Sequence, residues 1–255
     1  MKNETNGNKT QHLRLLYVAV SYLSMQMVVW ILVTPATWLF GHSSFHTHHA
    51  TTFFQHLDNT QNIGPAHFMT KFIGQHLIQA THILPSAVWT AIVPFQLNTH
   101  FRKRYPQTHK RMGYVFLVCS VLNAVGVLLI LGSKDQLLFD NFILDLPGVP
   151  YSNKGTVMGI TLWFSYTALR AWHAVLWRRN IPQHQRWMLR HVASGIWTSL
   201  IRFLLMTVAQ WMFPSPTTPS LQRAVFGDIS KISFVVCVAA GEYAIHLVRS
   251  EKIKG

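Results

Sequence analysis

Among 255 residues only 12% are charged, and the formal net charge is +14; a soluble domain carries about twice that charged fraction. The basic excess sits in short loops between apolar runs, where it orients membrane segments and meets anionic lipid headgroups. Nucleic-acid binding would need a basic face on a soluble domain, and the sequence offers none.

Residues 1–12 read as a short cytoplasmic tail, and residues 13–250 as a single bundle. A hydrocarbon core needs roughly 20 mostly apolar residues in a helix, and six stretches meet that length. The first, Leu13 to Phe40, is too long for a signal peptide and lacks a small-residue cleavage site, so it is expected to stay as a helix. A His-rich loop follows, His42, His46, His48 and His49, then His56 and His67; dense imidazole can bind copper or zinc, but only Asp58 joins it. The second stretch, Phe68 to Leu97, contains Pro85 and Pro94, so it is expected to kink. The third runs from Met112 to Gly132, the fourth from Thr156 to Trp177, the fifth from Trp187 to Phe213, and the sixth from Ile229 to Val248. Cys119 and Cys237 lie inside apolar runs and read as packed thiols, not a disulfide.

Fourteen Lys and Arg fall on one side of these stretches and five on the other. The positive-inside rule puts both termini in the cytoplasm. The fold class is therefore all-α: a polytopic membrane bundle of about six transmembrane helices, in contact with the lipid bilayer.

Tyr105-Pro-Gln-Thr-His-Lys-Arg-Met recurs as Ile181-Pro-Gln-His-Gln-Arg-Trp-Met. Each copy places one His, His109 or His184, at the cytoplasmic start of an apolar stretch. Other polar groups lie at membrane depth, where ionisable residues are costly and are functional candidates by default. They are His76 and His82 in the second stretch, Arg170 and His173 in the fourth, Arg190, His191 and Arg202 in the fifth, and Glu242 and His246 in the sixth. Helical rise puts His82 and Arg202 in an outer layer and most of the others in an inner layer.

Several readings stand. Two neutral imidazoles on facing helices suit a low-spin haem b, with arginines such as Arg111 and Arg186 pairing the propionates. Alternatively, His109 and His184 only start helices at the headgroup level. His82 has no evident partner on another helix, because His76 shares its own. Glu242 reads as a proton-relay acid or as a buried ion pair with Arg170 or Arg190. The protein is then a haem-dependent redox protein, a non-enzymatic transporter or assembly factor binding an ion, quinone or lipid, or a structural protein locked by its His/Arg layers.

The run from His82 to Gln96, with His109-Lys-Arg-Met-Gly113, and then His184-Gln-Arg-Trp187-Met188-Leu-Arg190 and Arg202, resembles a predicted-membrane-protein family catalogued as domain of unknown function 2306. The resemblance covers roughly residues 70–210. It implies a multi-span bundle with His82, Gln96, His109, His184, Arg190 and Arg202 as pattern positions, and no established activity. More distantly, the layout is similar to the ascorbate-dependent transmembrane cytochrome b family, which holds two haems by histidines on four helices. That likeness adds His173 to the candidate ligands, although His173 falls in the inner half.

Overall fold

The computed structural model describes residues 2–33, 72, 75–133, 153–209, 212 and 219–252. The His-rich loop and its metal reading lie outside the described residues, as do most of the second and third outer loops. Among the described residues seven helices follow in chain order: α1 Lys2–Val33, α2 His76–Leu97, α3 Thr99–Arg104, α4 Pro106–Gly132, α5 Asn153–Leu176, α6 Ile181–Leu204 and α7 Pro219–Lys252. The described residues include no strand.

Helix starts follow local chemistry. Pro106 and Pro182 occupy the first turns of α4 and α6, where the missing proline N–H costs nothing. Asn98 and Asn180 cap α3 and α6, their side chains accepting from the N–H of Phe101 and Gln183, both at 2.9 Å. Between α5 and α6 the chain turns through Arg179, at φ 46°, and the Asn180 N–H returns to the Ala174 carbonyl at 2.8 Å. The near-repeat is thus first of all a helix-start signature. It also moves both starts about six residues earlier than hydropathy alone suggests, because the first turns face headgroups and stay polar.

Six of the seven helices are 22 residues or longer. Four of them, over residues 7–32, 76–97, 106–132 and 225–248, are long and apolar enough to cross a membrane. The other two, α5 and α6, have 24 residues each but carry more polar side chains. For α6 the reason is position. It packs on α1, α5 and α7, and its residues 191–194 are buried in sequence. Polar groups there face protein rather than lipid. On α4 the arrangement inverts: Val118, Val121, Val125 and Leu128 form an exposed apolar stripe, as a lipid-facing surface requires.

Two apolar clusters hold the bundle. Trp89, Ile92, Val93, Phe116, Cys119 and Val192 pack where α2, α4 and α6 meet. Met27, Ile31, Phe72, Ile78 and Ile83 pack toward the far end. Both cysteines are free and buried. The His12 Nδ1 and the Tyr243 hydroxyl are 2.6 Å apart, so α1 begins beside the end of α7. Asn98 donates to the Tyr17 hydroxyl at 3.1 Å, which brings the basic α3 to the same end.

Candidate functional site

α2 is not a regular helix. Residues Gln79–Ile83 form a π-helical turn, in which the Leu84 N–H reaches back to the Gln79 carbonyl. Pro85 follows, and Pro94 lies further along the helix. Such π turns recur at functional positions in other proteins. Here the turn carries His82. The facing residue on α4 is Gly126, where a Cβ would stand 2.6 Å from the His82 Cβ and 3.0 Å from its Cα. Only glycine lets the two helices approach this closely.

His82 and Arg202 line one cavity of about 630 Å³, at the end away from the basic loops. Its walls include Trp30, Trp163, Trp197, Phe226 and Phe234, and Ser230 and Lys231 add polar groups. Arg202 donates through Nη1 to the Thr198 carbonyl at 2.6 Å. Its guanidinium carbon lies 5.6 Å from the centre of the Trp30 ring, within cation–π range. The volume is that of a small-molecule site, apolar with a few convergent polar groups.

The inner layer divides into separate contacts. Arg190 meets Glu242 in a two-pronged ion pair, at 2.5 Å from Nε and 2.8 Å from Nη2. The pair ties α6 to α7, and its side chains are 25% and 47% exposed. The expected buried pair is therefore found half-exposed, because both residues sit at the rim of the helix contact. Arg170 takes no part in it. Its guanidinium lies 5.0 Å over the Trp187 ring, and that of Arg190 lies 4.8 Å over the same ring. Trp187 thus carries both cations on its ring. Gln96 donates to the His109 carbonyl at 3.1 Å and joins α2 to α4.

His184 Nδ1 is 2.9 Å from the Ala171 carbonyl. A carbonyl only accepts, so Nδ1 carries the proton and Nε2 is left as the acceptor. His109 and His184 lie within electrostatic range of each other and of Arg102. His173 is exposed, its ring 5.5 Å from that of Trp177, and His246 is exposed on α7. The structure therefore brings His82 together with Arg202, and His109 near His184, but it does not bring His173 to His82. The rotation of α5 turns His173 outward.

The most enclosed histidine among the described residues is His191, absent from the ligand candidates above. Its Nδ1 is 3.1 Å from the Phe164 carbonyl, so Nδ1 is protonated, and Nε2 accepts from the Trp89 N–H at 3.4 Å and lies 2.8 Å from the Ser120 Oγ, a hydroxyl that also reaches the Phe116 carbonyl at 2.8 Å. Trp89 donates to Ser120 Oγ at 3.0 Å. Phe116, Phe164 and Trp89 surround the ring at centroid distances of 5.6, 4.3 and 5.8 Å. One turn further along α6, Gly195 leaves room for Trp89, since a Cβ there would fall 2.5 Å from the indole. A sequence signal exists: His184, His191, Ser194 and Thr198 fall at helical spacing on one face of α6.

The profile of a family described as a predicted membrane protein, DUF2306, matches residues 79–245. The chain belongs to this family. The match begins at the π turn and ends within α7, so it takes in His82, Arg202, His109, His184 and the Arg190–Glu242 pair. The protein is an integral membrane protein, as the family description and the four apolar helices agree. No curated protein and no solved structure matches the chain, and the distant likeness to the cytochrome b family rests on helix layout alone.

Haem gains no support at the outer cavity. His82 is the one histidine lining the outer cavity, so a second axial ligand is missing there among the described residues. No group of three or more metal-ligating side chains occurs among the described residues either.

Proposed function

We propose that this protein binds a membrane amphiphile, a quinone or a lipid, and acts as a carrier or assembly factor rather than as an enzyme. One observation carries the reading: an arginine and a histidine at membrane depth enter an apolar cavity walled by tryptophans. A ligand with a carbonyl or anionic head would place that head at Arg202, and its apolar part would lie against Trp30, Trp163 and Trp197. Tryptophan and arginine together suit such a head, because the ring face and the guanidinium recognise it without a metal.

A bis-imidazole haem b is a second reading for His109 and His184 alone. What favours it is the His184 tautomer, since an imidazole whose Nδ1–H is held by a carbonyl presents Nε2 as a ligand. Arg102, within electrostatic range of both histidines, would be a candidate propionate partner.

One preparation tests both. Protein extracted in mild detergent is examined by native mass spectrometry and by its absorbance spectrum before and after dithionite. The expected result is a bound organic ligand, diminished in Arg202→Leu and in His82→Leu, with no haem band. Equal ligand content in the wild type and both variants would overturn the cavity reading. A Soret band lost in His184→Ala would replace it with the haem reading.

A further inference from the structure

A second cavity, at the opposite end, is independent of the site above. It is half-open, encloses about 740 Å³, and runs between α1 on one side and α6 and α7 on the other. Its depth is apolar, with Leu16, Val20 and Leu23 of α1 facing Ile196, Leu200 and Val236. Small residues make the space: Ala19, Ala193, Ala240 and Gly241 all line it. Gly241 also sets the α6–α7 spacing, because a Cβ there would lie 2.7 Å from that of Ala193.

The mouth is different in character. Thr10, Arg14, Asn98 and His100 line it, and α3 continues with Arg102, Lys103 and Arg104. No carboxylate is among the lining residues described. Glu242, the carboxylate of the nearby part of α7, is already engaged by Arg190. The polar end sits where α1 begins, at the basic end of the bundle. An apolar slot with a cationic mouth, at the level of the headgroups, complements an anionic amphiphile standing along the bilayer normal.

We propose that this crevice is a binding site for one anionic phospholipid of the surrounding bilayer. Its phosphate would meet Arg14 and His100, and one acyl chain would lie between α1 and α7. The charge at the mouth selects the headgroup, and the small residues of α6 and α7 admit the chain. Membrane-facing basic groups favour anionic lipid by electrostatics that salt screens.

The test uses delipidated, detergent-solubilised full-length protein titrated with phosphatidylglycerol or with phosphatidylcholine of the same acyl chains, with bound lipid counted by native mass spectrometry. Wild type is expected to bind phosphatidylglycerol about five- to tenfold more tightly. Arg14→Gln with His100→Gln, at two exposed positions that leave the core intact, is expected to remove that preference. Ala240→Phe is expected to abolish binding of both lipids at this site. Arg178→Gln, at an exposed position that lines neither cavity, should leave the preference unchanged. Equal binding of the two lipids by wild type, or a preference that survives Arg14→Gln with His100→Gln, would overturn the proposal.

Discussion

His191 shows how a single polar residue is accommodated inside a membrane bundle. Its ring is completely buried, and both nitrogens are matched to groups of the right sense, the Phe164 carbonyl at Nδ1 and the Trp89 N–H at Nε2. Interhelical hydrogen bonds in membranes contribute only about 0.6 kcal/mol on average, so packing of the ring among Phe116, Phe164 and Trp89 is the larger stabilising effect. His191→Ala should therefore lower stability by about 2–4 kcal/mol, as a buried large-to-small change does. Ser120→Ala, which removes little volume but takes the hydroxyl away from both His191 and Trp89, should cost less, about 1–2 kcal/mol. Thermal or denaturant unfolding in detergent measures both; equal losses would mean that the hydrogen bonds, not the packing, dominate. From sequence, His191 was visible as a polar residue at depth but not as the most enclosed one. Its neighbours Ser120 and Thr167 come from other helices, and nothing in the chain pairs them in advance.

At the scale of elements, local chemistry was legible and orientation was not. Proline at the helix starts and asparagine at the caps follow from backbone sterics within four residues, and the near-repeat proved to carry that signal. The π turn over Gln79–Ile83 was not legible, although Pro85 pointed to an irregularity nearby. The α6–α7 pairing depends on Gly241 against Ala193 and on Arg190 against Glu242. Because the ion pair is partly exposed, its contribution should be modest, about 1 kcal/mol. Glu242→Arg should destabilise the protein by setting a cation beside Arg190, and Arg190→Glu in the same chain should restore most of the loss. A double-mutant cycle on unfolding checks this; no rescue by the charge swap would mean that the stacking of Arg190 on Trp187 matters more than the pair.

At the scale of the whole molecule, the charge asymmetry and the packing describe the same axis. The start of α1, α3 and the end of α7 meet at the basic end, and the Arg202 cavity lies at the other. Cysteine labelling tests the arrangement, with little background because Cys119 and Cys237 are buried. With a membrane-impermeant maleimide on sealed vesicles, Gly7→Cys and Arg104→Cys should react from one face and Lys154→Cys from the opposite face. Labelling of Gly7→Cys and Arg104→Cys from different faces would contradict the bundle.

The sequence by itself determined the solvent this chain folds in, the helical class and the residues that are costly at membrane depth. Each of these depends on composition or on neighbours within a few positions. Only the tertiary structure decided which of those residues meet. It put His82 with Arg202 rather than with His173, Glu242 with Arg190 rather than with Arg170, and His191 in the core. Those outcomes depend on how each helix is rotated about its axis, which close contacts such as Gly126 against His82 and Gly195 against Trp89 set. Such contacts join residues far apart in the chain, so no local pattern contains them.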